Sequence, residues 1–225
     1  MTRVAPFAAA VGAAAVVVCT ATLGWTEGAT TKIGIANNEI GASPSDFELS
    51  QTGEGERGQW MVVHDPTAVE GVAIEHRSTD PHDDRFPLAI YKPLSLENVE
   101  ASVRFKIISG TMQAAGLAVC LRNHESYYAV SASVLEQRVD LLLFAKGQVK
   151  RIESAEADVV RNRWQTLRLI VNDDHFTVSL DDKVLFVTFD RARRKDGRIA
   201  LWTQEDNITR FDQVEIRPLP APGDN

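Results

Sequence analysis

Gly197-Arg-Ile-Ala-Leu-Trp202-Thr-Gln-Glu205-Asp206-Asn207-Ile-Thr-Arg210-Phe211-Asp212-Gln-Val214-Glu-Ile216 is the stretch whose reading decides the fold. It divides into two strands, 197–203 and 209–217, around a polar loop carrying Glu205, Asp206 and Asn207. Alternation marks the second strand: Phe211, Val214 and Ile216 alternate with Arg210, Asp212, Gln213 and Glu215. Trp202 ends the first strand beside the acidic loop. An aromatic next to carboxylates and an amide suits a sugar-binding corner, and it equally suits a core tryptophan beside a solvated turn.

Upstream, the same grammar repeats. Val99, Ala101, Val103, Phe105 and Ile107 alternate with Glu100, Ser102, Arg104 and Lys106, which predicts a half-buried antiparallel strand over 99–108. Further strands are expected at 60–63, 72–74, 86–91, 115–122, 127–135, 138–145 and 148–153, then at 164–172, 175–180 and 184–189. Lys146-Gly147, Asp173-Asp174 and Asp181-Asp182 are turn dipeptides between them, and Asp196-Gly197 precedes the final pair. The segment 154–163 reads as an extended loop or short turn. Helical periodicity is almost absent, so the expected fold is all-β, an antiparallel sandwich or jelly roll, over residues 46–217. Residues 26–45 read as a linker and the proline-rich 218–225 as a disordered tail.

The chain has 225 residues, 44% apolar and 24% charged, with a formal charge of −7. These are globular proportions, and no basic block has the footprint of a nucleic-acid site. Arg3 followed by the Ala- and Val-rich run 4–25 reads as a secretory signal, cleaved after Ala21, or as an uncleaved membrane anchor; lipidation at Cys19 is a third option, opposed by Val18. All three imply export to the periplasm or beyond. Cys120 would then stand alone, without an intramolecular disulfide, in an apolar run that suits an inert buried thiol.

The order Trp164-Gln-Thr-Leu-Arg-Leu, Phe176-Thr-Val-Ser-Leu-Asp-Asp-Lys-Val-Leu-Phe, Gly197-Arg-Ile-Ala-Leu-Trp-Thr and Phe211-Asp212 resembles the laminin-G-like, concanavalin A-like sandwich. More narrowly it is similar to the exported bacterial 3-keto-disaccharide hydrolase-like domain, as is Tyr127-Tyr128 through Leu135-Glu136. The resemblance implies a fold shared by lectins, glycosidases and adhesion modules. Where that branch carries Arg and Asn after the paired tyrosines this chain has Ser131 and Ser133, and Cys120 replaces an Arg. If those groups form the family's site, it is lost or remodelled here.

A sugar site needs a flat aromatic face and planar polar groups. Trp202, Tyr127, Arg104, Arg168 and Glu136 supply these types and are the candidate ligand-binding residues; their alternative role is core packing and surface ion pairing. Glycoside hydrolysis would need two flanking carboxyls. The nearest pairs are Glu70 with Glu75, Glu153 with Glu156, and Glu136 with Asp140, none in an apolar setting suited to an acid catalyst. The loop Asp80-Pro-His82-Asp83-Asp84, with His76 upstream, offers metal-ligand types but matches no closed motif and reads as a solvated turn. No cofactor is expected. Three functions remain: a carbohydrate-binding module without catalysis, a glycoside hydrolase acting on 3-keto-disaccharides or related glycosides, and an envelope adhesion module tethered by its N-terminus.

Overall fold

The computed structural model describes residues 28–80, 84–193 and 196–220. The expected signal or anchor, together with His82 and Asp83 of the acidic loop and residues 221–225 of the tail, lies outside them. Fifteen strands follow one another: β1 Thr31–Lys32, β2 Phe47–Thr52, β3 Gln59–His64, β4 Val72–Arg77, β5 Phe86–Tyr91, β6 Val99–Ser109, β7 Ala114–Asn123, β8 Ser126–Ser133, β9 Arg138–Ala145, β10 Gln148–Glu156, β11 Gln165–Asn172, β12 His175–Leu180, β13 Lys183–Phe189, β14 Arg198–Thr203 and β15 Ile208–Pro218. One 3-10 turn, Ile35–Asn37, follows β1.

The strands form two antiparallel sheets. Sheet I has the order β13-β12-β11-β6-β15-β4-β3, with β1 paired to β15; sheet II has the order β10-β9-β8-β7-β14-β5-β2. Alternation places Val103, Phe105 and Ile107 of β6 and Leu167 and Leu169 of β11 against Leu117, Val119, Val130, Leu141 and Leu201 of sheet II. Each such side chain contributes about 1.5–3 kcal/mol on burial. The hairpin turns have the required geometry: Lys146 and Gly147, and Asp181 with Asp182, all take positive φ, as a type I′ turn demands.

Three expectations about boundaries are corrected. Part of the expected linker is folded: Thr31 and Lys32 pair with Ile216 and Glu215, and Ile33 and Ile35 are core residues. Apolar side chains spaced by two let so short a segment cover an open strand edge. Strand β10 continues to Glu156, so only its sequel is a loop, with Val159 buried and Val160 N–H donating to Gln165 Oε1 at 2.7 Å. The start of the expected tail is held too, since Leu219 N–H donates to Asn98 O at 3.1 Å.

Candidate functional site

Sheet II has a second, outward face, and it is curled into a cup. Three strands separate β5 from β9, about 19 Å in a flat sheet at 4.8 Å per step. Yet the rings of Phe86 on β5 and Phe144 on β9 lie 4.8 Å apart. Thr52 Oγ1 at the end of β2 likewise meets the Tyr127 hydroxyl of β8 at 2.7 Å. Opposite corners of the sheet therefore approach across its face.

Register shows what lines the cup. One transverse row runs Leu88, Trp202, Gly116, Ser131, Asp140, Ser154, and the next runs Ile90, Ala200, Ala118, Ala129, Leu142, Arg151. Glycine and alanines make a low floor, and large rings fill the space above it. Phe86 stacks on Trp202 at 5.7 Å and Tyr127 on Phe144 at 4.3 Å. Gly116 is required there, since a Cβ would stand 1.7 Å from the Val130 carbonyl oxygen.

This packing settles where the candidate residues stand. Trp202 is 0% exposed and Tyr127 1%, so both are core aromatics of the cup and neither offers a ring face to solvent. Burial pushes the Tyr127 hydroxyl above its ordinary pKa, against the lowering effect of Thr52 and Trp202. The Trp202 indole N–H lies near that hydroxyl without reaching a well-aligned hydrogen bond. Arg104 and Arg168 are on the outer face of the other sheet. Arg104 Nη1 pairs with Asp212 Oδ2 at 3.1 Å and lies over the Trp164 ring, while Arg168 pairs with Glu100 at 3.3 Å. The five candidates do not share one cleft. Strand alternation assigns a side chain to a face but does not say which sheet that face belongs to.

Glu136 alone stands beside an accessible polar array on the cup side. Its Oε2 pairs with Arg138 Nη2 at 2.6 Å. Arg138 Nε donates to Asp140 Oδ2 at 3.0 Å, and Arg151 Nε lies 3.2 Å from Asp140 Oδ1. Asp140 is buried, and its Oδ1 accepts no well-aligned hydrogen bond. Glu136 and Asp140 thus share one arginine, because Gln137 takes φ +49° and resets the alternation between them. Arg138 and Arg151 were not singled out from sequence; the signal was the alternation of β9, which puts Arg138, Asp140 and Leu142 on one face. Ser131 is the cross-strand neighbour of Asp140 and Ser133 that of Arg138, so planar polar groups stand on β9 beside the shortened positions of β8. Cys120 does not line this face. It takes φ +52° in an irregular stretch of β7 and turns into the core between the sheets, where burial pushes its thiol pKa up.

Members of the remaining candidate pairs have partners of their own. Glu75 is buried between Arg77 and Arg210, and Glu153 Oε1 accepts from Ser154 N–H at 3.0 Å. The carboxylate of Asp80 accepts from Glu56 N–H at 2.5 Å and sits 3.6 Å from buried Arg85. His76 is buried, with Nδ1 2.9 Å from the Asn207 carbonyl. Among the described residues no three His, Cys, Asp or Glu side chains are grouped to hold a metal.

The family model of the 3-keto-alpha-glucoside-1,2-lyase-like domain matches residues 41–217. The chain belongs to this family. No curated protein matches it, whereas solved structures show its fold. The carbohydrate binding module CBM66 from Bacillus subtilis is similar at TM-score 0.58 and 19% identity, over 74% of this chain and 94% of that one. The cellulose induced protein Cip1 is similar at 0.56 and 8% identity, over 76% and 91%. The exoplasmic/lumenal domain of VIP36, in its Ca²⁺/Man-bound form, is similar at 0.56 and 10% identity, over 79% and 85%. This member of the lyase-like family is accordingly an antiparallel, concanavalin A-like β-sandwich, as its residues implied.

Proposed function

We propose that this family member is an exported carbohydrate-binding module that holds its ligand at the polar rim of the sheet II cup and does not convert it. The observation carrying this reading is the Glu136–Arg138–Asp140–Arg151 array. It sets planar guanidinium and carboxylate groups side by side on a half-open sheet face, as hydroxyl recognition requires. Both carboxylates already face arginines, an arrangement suited to accepting hydroxyl protons in hydrogen bonds rather than to delivering a proton to a leaving group. The likeness to a carbohydrate binding module supports the same reading. Since Trp202 and Tyr127 are sealed, affinity would come from hydrogen bonding more than from ring stacking.

Glycan-array binding followed by titration calorimetry tests it. Arg138→Ala is expected to weaken binding roughly 10- to 100-fold, the loss of about 1.5–3 kcal/mol typical of a charged hydrogen-bonding group. Arg138→Lys should recover only part, because an ammonium cannot reproduce the planar fork. Unchanged affinity in both variants would remove the rim from consideration.

Family membership favours a second reading, an enzyme acting on 3-keto-α-glucosides. Incubation with such a glycoside separates the two: product release that Glu136→Gln abolishes supports the enzyme, and stable binding without product supports the module. For export, the mass of the secreted protein should show loss of residues 1–21, while a full-length membrane-bound product would identify an anchor.

A further inference from the structure

The sheet edges are finished in different ways. Strand β3, one edge of sheet I, is covered: Gly41 N–H donates to Val62 O at 2.7 Å and Val62 N–H donates to Ala42 O at 2.8 Å. Strand β10, an edge of sheet II, carries Lys150, Arg151 and Glu153 and slips in register between Arg151 and Glu153. Charge and irregularity of this kind keep an edge from pairing further. Strand β13, the other edge of sheet I, is less protected. It pairs with β12 on one side, and among the described residues no backbone hydrogen bond reaches Lys183–Phe189 from the other. Beyond Lys183 it reads Val-Leu-Phe-Val-Thr-Phe, without a charge. Its one slip lies near the start and leaves Phe186–Phe189 in regular register.

The exposed apolar side chains follow this edge. Phe176 and Val178 of β12 point into the core, so their partners Thr188 and Phe186 share that side. Val187 and Phe189 therefore face outward opposite Thr177 and His175, and Val184 does so opposite Ser179. Val184, Val187 and Phe189 are 56%, 60% and 57% exposed. The next strand inward offers only His175, Thr177 and Ser179 on this face, so the apolar stripe is one strand wide. A partner stacked on the sheet would meet those polar groups. A strand laid alongside the edge covers the stripe and satisfies the open backbone together.

We propose that β13 pairs antiparallel with β13 of a second copy, in a two-fold dimer whose sheets I run on into one another. Charge favours a copy over a foreign strand. The leading end of β13 presents Asp182 and then Lys183, while the trailing end, taken back toward the strand, presents Arg191 and then Asp190. Antiparallel pairing sets one end against the other, so opposite signs meet in the same order at both ends. That is the self-complementarity an isologous interface requires. The Asp182 side chain is 88% exposed, and Arg191 is exposed beside the stripe, 5.7 Å over the Phe189 ring. Asp190 also accepts from the Tyr128 hydroxyl at 2.8 Å, which fixes its place at the strand end. Seven residues extend about 23 Å. So narrow a contact belongs at the low end of specific interfaces, roughly 1,200 Å² or less, and a micromolar dissociation constant is expected. The edge belongs to sheet I, apart from the rim proposed to hold carbohydrate, so the two readings stand or fall separately.

The test is sedimentation velocity of the full chain over about 1–300 μM, with amide hydrogen exchange at both ends of that range. A monomer–dimer equilibrium in the micromolar range is expected, with amides of Val184–Phe189 exchanging more slowly at high concentration and those of Gln59–His64 unchanged. Val187→Lys should weaken the dimer at least roughly tenfold, or about 1.4 kcal/mol, with an unchanged circular dichroism spectrum because the side chain is exposed. Arg191→Glu should weaken it several-fold, and adding Asp182→Lys should restore it; Lys146 shows that lysine tolerates the positive φ found at Asp182. A chain that stays monomeric to about 300 μM, well above a micromolar dissociation constant, overturns the proposal. So does a dimer that keeps its affinity in Val187→Lys, that leaves β13 exchange unchanged, or that the charge swap fails to restore.

Discussion

Replacing Trp202 by alanine would empty a space bounded by the rings of Phe86 and Phe144 and by the register neighbours Leu88 and Gly116. Strand backbone cannot collapse into it, because the floor is already glycine and alanine. The expected loss is about 3–5 kcal/mol, measured as a shift of the urea midpoint at constant slope. A loss under 1 kcal/mol would mean that the cup is not packed as described. Trp202→Phe should cost less, and sugar binding at the rim should survive it. The same residue shows where sequence stops being informative. Alternation correctly opposes Trp202 to Leu201, but whether its face is open depends on Phe86, Tyr127 and Phe144, contributed by three other strands. No local pattern announces that convergence. Arg138 was closer to legible, since it shares β9 with Asp140 two positions on; only the positive φ at Gln137, which brings Glu136 to the same arginine, was hidden.

At the scale of elements, strands with regular alternation were readable and short pieces were not. The strand over Val99–Ser109 carries apolar side chains at every second position, so one face had to be buried wherever it paired. Thr31–Lys32 is too short to show alternation, and its role appears only when β15 leaves β4 and needs a new partner. Ile35 tests this. It is 3% exposed within a segment whose composition reads as a linker. Ile35→Ala is expected to destabilise by about 2–4 kcal/mol, as for other buried Ile truncations, whereas the same change in a true linker would stay within about 0.5 kcal/mol. Chemical denaturation of the two proteins side by side distinguishes the cases.

At the scale of the whole molecule, acid should weaken the sandwich in two steps that belong to different places. His76 is buried on β4, between Thr209 of β15 and Trp60 of β3, with its ring 4.9 Å from that of Trp60 and Gly58 packed against Nε2. Burial first, and then the charge of Arg85, lower its pKa to about 4, outweighing the raising effects of the Asn207 carbonyl and Glu75. An unfolded histidine titrates near 6.5. Between those values the unfolded chain binds the proton and the folded one does not, so stability falls as pH drops from about 6.5 toward 4. The shift corresponds to about 2–3 kcal/mol lost by pH 4.5. Asp65 acts lower down. Burial would raise its carboxyl pKa, but hydrogen bonds from Lys106, Thr67 and Arg210 together hold it well below the carboxylate range. Its contribution is complete above the unfolded aspartate value and disappears as pH falls through the folded one. His76→Gln, whose amide can still donate to the Asn207 carbonyl, should therefore flatten the urea-midpoint profile between pH 6.5 and 4.5 while leaving the steeper loss below pH 4 in place. A profile that keeps its full slope in the variant would assign the upper step to other groups and leave His76 a packing residue only.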